Sequence, residues 1–277
     1  MPELPVGFYF SQMRLQDYLD CKRRFQLRYL LRQPWPANLI EPVDVFENHV
    51  EQGQQFHRLV HRFILGIPVE DLHRMANEPP LSEWWQNFLE YGLRQIPQIR
   101  IPEITVSSSF EGYRLVGKFD LLALDISGEI LIVDWKTSKF IPQSSELRMR
   151  MQSRLYPFIV SQEGLAKYGF EKIQPDQISM RYWYAEAPGT PKEFAYSQTQ
   201  FEDDKQYLRE LINEIKGIDA EIFPLTDDQR KCRYCLYRSL CDRGIGAGLL
   251  EEYEQELEML SDSSSVVDLD DIPEIEF

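Results

Sequence analysis

The chain has 277 residues, 43% hydrophobic and 13% aromatic, enough to bury one substantial core, which excludes a disordered polymer. No run approaches the roughly 18 to 20 apolar residues of a membrane span, and the "MPELPVGFYF" start lacks the basic-then-apolar layout of a signal peptide, so a cytoplasmic protein without a membrane partner is expected. The net charge of -15 argues against a nucleic-acid partner only until it is divided: residues 251–277 carry eleven Asp or Glu and no Lys or Arg, whereas Arg14 to Arg32 carries six basic residues against two acidic ones.

In chain order, "FSQMRLQDYLDCKRRFQLRYLL" spaces Met13, Tyr18, Phe25, Tyr29 and Leu30 at near-helical intervals, with Ser11 as N-cap. This predicts one or two short helices around Cys21. A second helix is expected from about Phe46 to Leu65 and a third over "PPLSEWWQNFLEYGLRQI", so residues 1–100 read as helical. Strands follow in "EITVSSSFEG", "YRLVGKFDLLALD" and "GEILIVDWKTS", with Gly112 and Ser127-Gly128 supplying turns. A long helix over about 144–168 comes next, then strands "ISMRYWYAEA" and "KEFAYSQT" and a helix "DDKQYLRELINEIKGI". The α/β core is placed at 101–225, a cysteine-rich segment at 226–246, an amphipathic helix at 247–260 and an acidic disordered tail at 261–277.

The hairpin around Ser127-Gly128 carries the chemistry. A three-residue loop closed by a left-handed glycine sets Asp125 opposite Glu129, and counting back sets Asp120 opposite Asp134. Two carboxylates roughly 5 Å apart repel unless a positive charge lies between them. Lys136 shares the face of Asp134, and Trp135 points the other way. A divalent cation held by the acids, able to acidify a bound water, fits this grouping, with Lys136 to orient the nucleophile or stabilise developing charge. The alternative is a structural Asp-Lys ion pair. His57, on a helical stripe, is a further candidate ligand for manganese-like ions, and Gln152 and Tyr156 lie four apart on one helix face, where they could together hold a substrate.

"CRYCLYRSLC" supplies Cys232, Cys235 and Cys241, and the remaining cysteine is Cys21, far upstream. Three clustered thiols and one distant one make a four-ligand site that would staple the two ends of the chain, holding an iron-sulfur cluster or a zinc ion. Tyr234, Tyr237, Arg233, Arg238 and Arg243 around it suit base stacking and phosphate pairing.

"GKFD", "VDWKT", "QSRLY" and the upstream "GQQFH", taken with the cysteine partition, resemble the ordered motifs of the RecB-type branch of the PD-(D/E)XK nucleases. The similarity is to members with an iron staple, among them CRISPR-associated adaptation exonucleases and AddB-type nuclease domains, and it spans roughly residues 8 to 245. It implies a restriction-endonuclease-like core, a mixed sheet flanked by helices, with helical end segments joined through the cysteines. It further implies Mg or Mn at His57, Asp120 and Asp134, catalysis by Lys136, a four-iron four-sulfur cluster on Cys21, Cys232, Cys235 and Cys241, and DNA cleavage at single strands or ends, in repair, recombination or CRISPR adaptation. By the same resemblance Gln152 and Tyr156 bind DNA or orient the site. Lys22 stands where many relatives have proline, and Asp134 where many have glutamate. The acidic tail, ending "DLDDIPEIEF", resembles the terminal peptide of single-stranded-DNA-binding proteins and suggests a protein partner. A DNA-binding subunit that keeps the cluster without cutting is the alternative reading.

Overall fold

The computed structural model describes residues 4–34, 43–163, 165, 172–218, 221–233 and 235–244, with the side chains of 43–49 excepted. The expected 247–260 helix and 261–277 tail, and Tyr234, lie outside the described residues. One mixed sheet organises the rest. Strand β1 (Tyr9–Ser11) runs parallel to β3 (Tyr113–Leu124), which pairs antiparallel with β2 (Ile99–Phe110) and β4 (Ile130–Lys136). Strand β4 pairs parallel with β5 (Ile178–Tyr184), and β5 antiparallel with β6 (Lys192–Ala195).

The loop after β3 closes as the sequence suggests. Asp125 N donates to Glu129 O at 2.9 Å, Gly128 N donates to Asp125 O at 3.0 Å, and Gly128 takes φ +91, where a Cβ would be strained. The ladder runs Leu121–Val133, Leu122–Ile132, Ala123–Leu131 and Leu124–Ile130, and one further step of that register sets Asp120 beside Asp134.

Alternation along the strands then divides the core into two layers. Leu122, Leu124, Ile130, Ile132, Met180 and Tyr184 pack beneath α1 (Gln12–Asp20), α2 (Lys22–Phe25), α7 (Met151–Glu163) and α8 (Gln198–Gly217). Leu121, Ala123, Leu131, Val133, Trp135 and Trp183 pack on the opposite face against α3 (Val43–Ile64), α4 (Val69–His73) and α5 (Leu81–Asn87). The second layer is aromatic: Trp183 stacks on Phe56 at 6.2 Å and meets Trp135 and Phe88 edge-on at 5.7 and 6.1 Å.

Three elements differ from the sequence expectation. The N-terminal region is not all helical, because Tyr9–Ser11 joins the sheet; three residues are too few for alternation to register. The five-residue α4 is an added turn of helix between two expected ones. The expected 144–168 helix is two, α6 (Ser144–Met149) and α7, because Arg150 between them is extended at φ -63, ψ 146; of the expected stretch past Glu163, residues 164 and 166–168 lie outside the described residues.

Trp183 is 1% exposed and touches three aromatic neighbours, so Trp183→Ala should cost about 3–5 kcal/mol. Guanidinium titration of both proteins checks this; a loss under about 1 kcal/mol would mean that this layer does not hold α3 to the sheet.

Candidate active site

The site forms where β4 leaves β3. Beyond Leu121–Val133 the two strands no longer pair, and the edge of β3 that β4 vacates is taken by β1 at residues 114–116. The Trp135 N–H would be left without a ladder acceptor, and it donates instead to Asp120 Oδ2 at 2.8 Å. The carboxylate of Asp120 thereby replaces a backbone carbonyl, which fixes its orientation.

Two glycines let helices approach this point. Gly53, one turn before His57 on α3, would place a Cβ only 3.2 Å from Thr137 Oγ1. Its bare backbone allows α3 to lie against the end of β4, and His57 Nδ1 comes 3.3 Å from Asp120 Oδ1. At Gly117, a Cβ would meet Phe119 at 2.8 Å and Tyr156 at 3.2 Å. The glycine of "GKFD" thus makes room for the Tyr156 ring, which packs edge-on to Phe119 at 4.7 Å.

From α7, Gln152 Nε2 donates to Asp134 Oδ1 at 2.6 Å, and the Lys136 ammonium lies 2.6 Å from Asp134 Oδ2. Asp134 and Lys136 are 3% and 6% exposed. A buried ion pair of this kind is often no more stabilising than an apolar pair of the same shape, so its place on an apolar strand is better explained by chemistry than by stability. Behind it, Tyr182 stands opposite Asp134 on β5 and shares a hydrogen bond with Ser153 at 2.8 Å. Burial, then the Asp134 charge, push the Tyr182 hydroxyl far above its ordinary range, so it stays protonated.

His57 and Asp120 perturb one another. Burial alone would lower the imidazole, but the Asp120 carboxylate, with Asp134 and Glu103, outweighs it and raises the pKa. Burial would raise Asp120, but His57, the Trp135 N–H and Lys136 together bring it below the usual carboxylate value.

The residues expected from sequence divide into two linked groups. Asp120 and His57 come together with Glu103, their ligand atoms all within 4.8 Å of one another. Asp134 is turned to Lys136 and Gln152. One imidazole and two carboxylates could hold a divalent ion, and the buried Gln152 Oε1 has no hydrogen-bond partner among the described residues. Gln152 and Tyr156 are buried, at 1% and 2% exposure, Gln152 against Asp134 and Tyr156 against Phe119.

Sequence reasoning missed Glu103, although a signal existed. Strands β2 and β3 are joined by Glu111-Gly112, both at positive φ, as a two-residue hairpin turn requires. Counting back from Phe110–Tyr113 sets Glu103 opposite Asp120. Glu103 itself sits at φ +51, a conformation that costs a non-glycine residue roughly 1 kcal/mol or more, as is common at functional positions.

A sequence model of the PD-(D/E)XK nuclease superfamily matches residues 9–242. The chain belongs to this superfamily. The Asp134-Trp135-Lys136 spacing has the acid-x-lysine pattern that the superfamily's name describes. Among solved structures, SSO0001 is 14% identical, with 82% of this chain and 95% of that one covered at a TM-score of 0.33. A provisionally designated exonuclease from Eubacterium rectale is 8% identical, with 77% and 83% covered at a TM-score of 0.45. No curated protein matches the chain.

The four cysteines gather beside Leu27 and Tyr237. Burial raises the Cys232, Cys235 and Cys241 thiols, Cys235 to about 11, and the nearby Cys21 acts in the same direction on each. Arg24 opposes this at Cys232 and Cys235, Arg23 at Cys241 and Arg243 at Cys232 and Cys241, so cations surround the quartet. Residues 20–26 and 221–231 are tied together there. Gln26 donates to Glu221 O and accepts from Phe223 N, Arg23 N donates to Pro224 O, and Lys231 pairs with Asp20 at 3.3 Å.

Glu103→Gln should weaken manganese binding roughly tenfold or more, measured by calorimetry on the metal-free protein, since it removes a charged donor from the group. An unchanged affinity would leave Asp134 as the second carboxylate of the site.

Proposed function

We propose that this nuclease is a magnesium- or manganese-dependent deoxyribonuclease that hydrolyses phosphodiester bonds in single-stranded DNA or at duplex ends, in DNA repair, recombination or CRISPR adaptation. The observation that carries the reading is the buried Lys136–Asp134 pair, fixed by Gln152 and set beside the His57, Glu103 and Asp120 group. His57, Asp120 and Asp134, with Glu103, would hold the divalent ion, which supplies a Lewis acid for the phosphate and for the attacking water.

The protein's own groups do the rest. The Lys136 ammonium, in a site of low dielectric, stabilises negative charge that grows on the phosphoryl oxygens as water attacks. Asp134 holds that ammonium in place, and Gln152 holds Asp134, so little reorganisation is needed at the moment of reaction. The Trp135 N–H keeps Asp120 aimed at His57, and Tyr156 and Phe119 wall the floor against water.

The cysteine quartet holds a four-iron four-sulfur cluster, with zinc as the alternative occupant. Four soft donors in one locality and the cationic Arg23, Arg24 and Arg243 around them support an anionic thiolate-ligated centre. Its service is structural: Cys21 ends α1, and α1 packs on α7, which carries Gln152.

The deciding assay is cleavage of end-labelled single-stranded and duplex DNA by anaerobically purified protein in manganese, magnesium or EDTA. Cutting should require the metal and fall by at least about a hundredfold in both Lys136→Ala and Asp134→Ala. Binding of DNA without cutting under every condition would replace the enzyme by a binding subunit. The same preparation should contain iron and acid-labile sulfide in equal amounts, both lost in Cys21→Ser; zinc without sulfide would reassign the quartet.

A further inference from the structure

Lys118 stands two residues before Asp120 on β3, and side chains two apart on a strand share a face. Its partner across the ladder is Thr105, yet its ammonium lies 2.7 Å from Glu103 Oε2, two residues further along β2. The side chain therefore leans along the sheet toward the metal-binding group, although 42% of it stays exposed. A partly exposed pair of this kind adds at most about 1 kcal/mol, so stability does not account for the placement.

Charge does. Glu103, Asp120 and Asp134 bring three negative charges, and Lys118 and Lys136 return two. A divalent ion turns that local deficit of one into an excess of one, which a phosphodiester matches. The two lysines are not equivalent. Lys136 is buried and pinned by Asp134, whereas Lys118 is a point charge on a flexible stem at the rim, free to swing once Glu103 is otherwise engaged.

We propose that Lys118 is a phosphate-binding residue whose availability is set by the metal site. Without a divalent ion its charge is neutralised by Glu103. When the ion draws on the Glu103 carboxylate, the ammonium turns to a backbone phosphate of the nucleic acid adjoining the bond to be cut. Metal and nucleic acid then tighten one another's binding by the same factor. This rests on the nuclease reading and adds to it a specific contact and a coupling.

The test is binding of a fluorescent single-stranded oligonucleotide to the full-length protein across a series of salt concentrations. It is run in EDTA and in calcium, with an end-label control for hydrolysis. Wild type is compared with Lys118→Gln, Glu103→Gln and the double variant. In calcium, the wild-type plot of log affinity against log salt should be steeper than that of Lys118→Gln by about 0.7, one single-strand phosphate contact, or roughly fivefold in affinity at 0.1 M salt. In EDTA the two should share one slope, while Glu103→Gln, its lysine released, gains the contact that the double variant lacks. Equal wild-type and Lys118→Gln slopes in calcium would remove the phosphate role while leaving the nuclease reading intact. A full difference already present in EDTA would overturn the coupling to the metal. If wild type bound no oligonucleotide in either condition, the nuclease reading would fail and this proposal with it.

Discussion

The hydrogen bond from the Trp135 N–H to Asp120 Oδ2 is the constraint on which the site depends. A central strand that parts from its neighbour leaves backbone groups unpaired, and a buried unpaired N–H costs about 1–3 kcal/mol. Here a side chain of the strand left behind, Asp120 on β3, repairs the loss. The same carboxylate that closes the ladder is thereby held at a fixed angle toward His57, and it sits where β3 and β4 diverge. Stability and site geometry are served by one bond.

Around that point, close approach is obtained by omission. Gly53 lets α3 settle against Thr137, and Gly117 leaves space for Tyr156. Each is a place where a side chain would push a helix or a ring away from the carboxylates. The helices are in turn held by the two core layers: α3 by the face built on Trp135 and Trp183, α7 by the opposite face built on Leu122, Ile132 and Met180. An imidazole from one face and an orienting amide from the other thus meet where β3 and β4 part. Neither layer alone brings His57 and Gln152 to the same acids.

The N-terminal helices and the segment from residue 221 lie against one another. Gln26, Arg23 and Lys231 tie the N-terminal helices to residues 221–231 through hydrogen bonds and an ion pair, and the four thiols gather at the same place. Arg24, buried between Asp17 and Asp20, keeps a network of fixed charge under the quartet. Because Cys21 sits at the end of α1 and α1 rests on α7, order at the cysteines is transmitted by packing to the helix that positions Asp134.

The sequence by itself determined the hairpin register, because Gly128 admits one kind of turn and strand alternation then leaves no freedom in which face Asp134 and Lys136 share. It also determined the two-sided burial of β4, whose unbroken apolar run requires cover on both faces. It contained the count that places Glu103, but only for a reader who carried the Glu111-Gly112 turn back along β2. What the tertiary structure decided were the distances across elements. Tyr9–Ser11 is a strand because β3 offers it a vacated edge, not because three residues prefer extension. Arg150 breaks the long helix without any proline or glycine to announce it. Lys118 leans toward Glu103 and not Thr105, and Asp134 turns to Lys136 and Gln152 while Glu103 joins His57 and Asp120. Such choices depend on rotamers and on which neighbouring charge lies nearest once the chain has packed, and periodicity along a sequence holds no record of them.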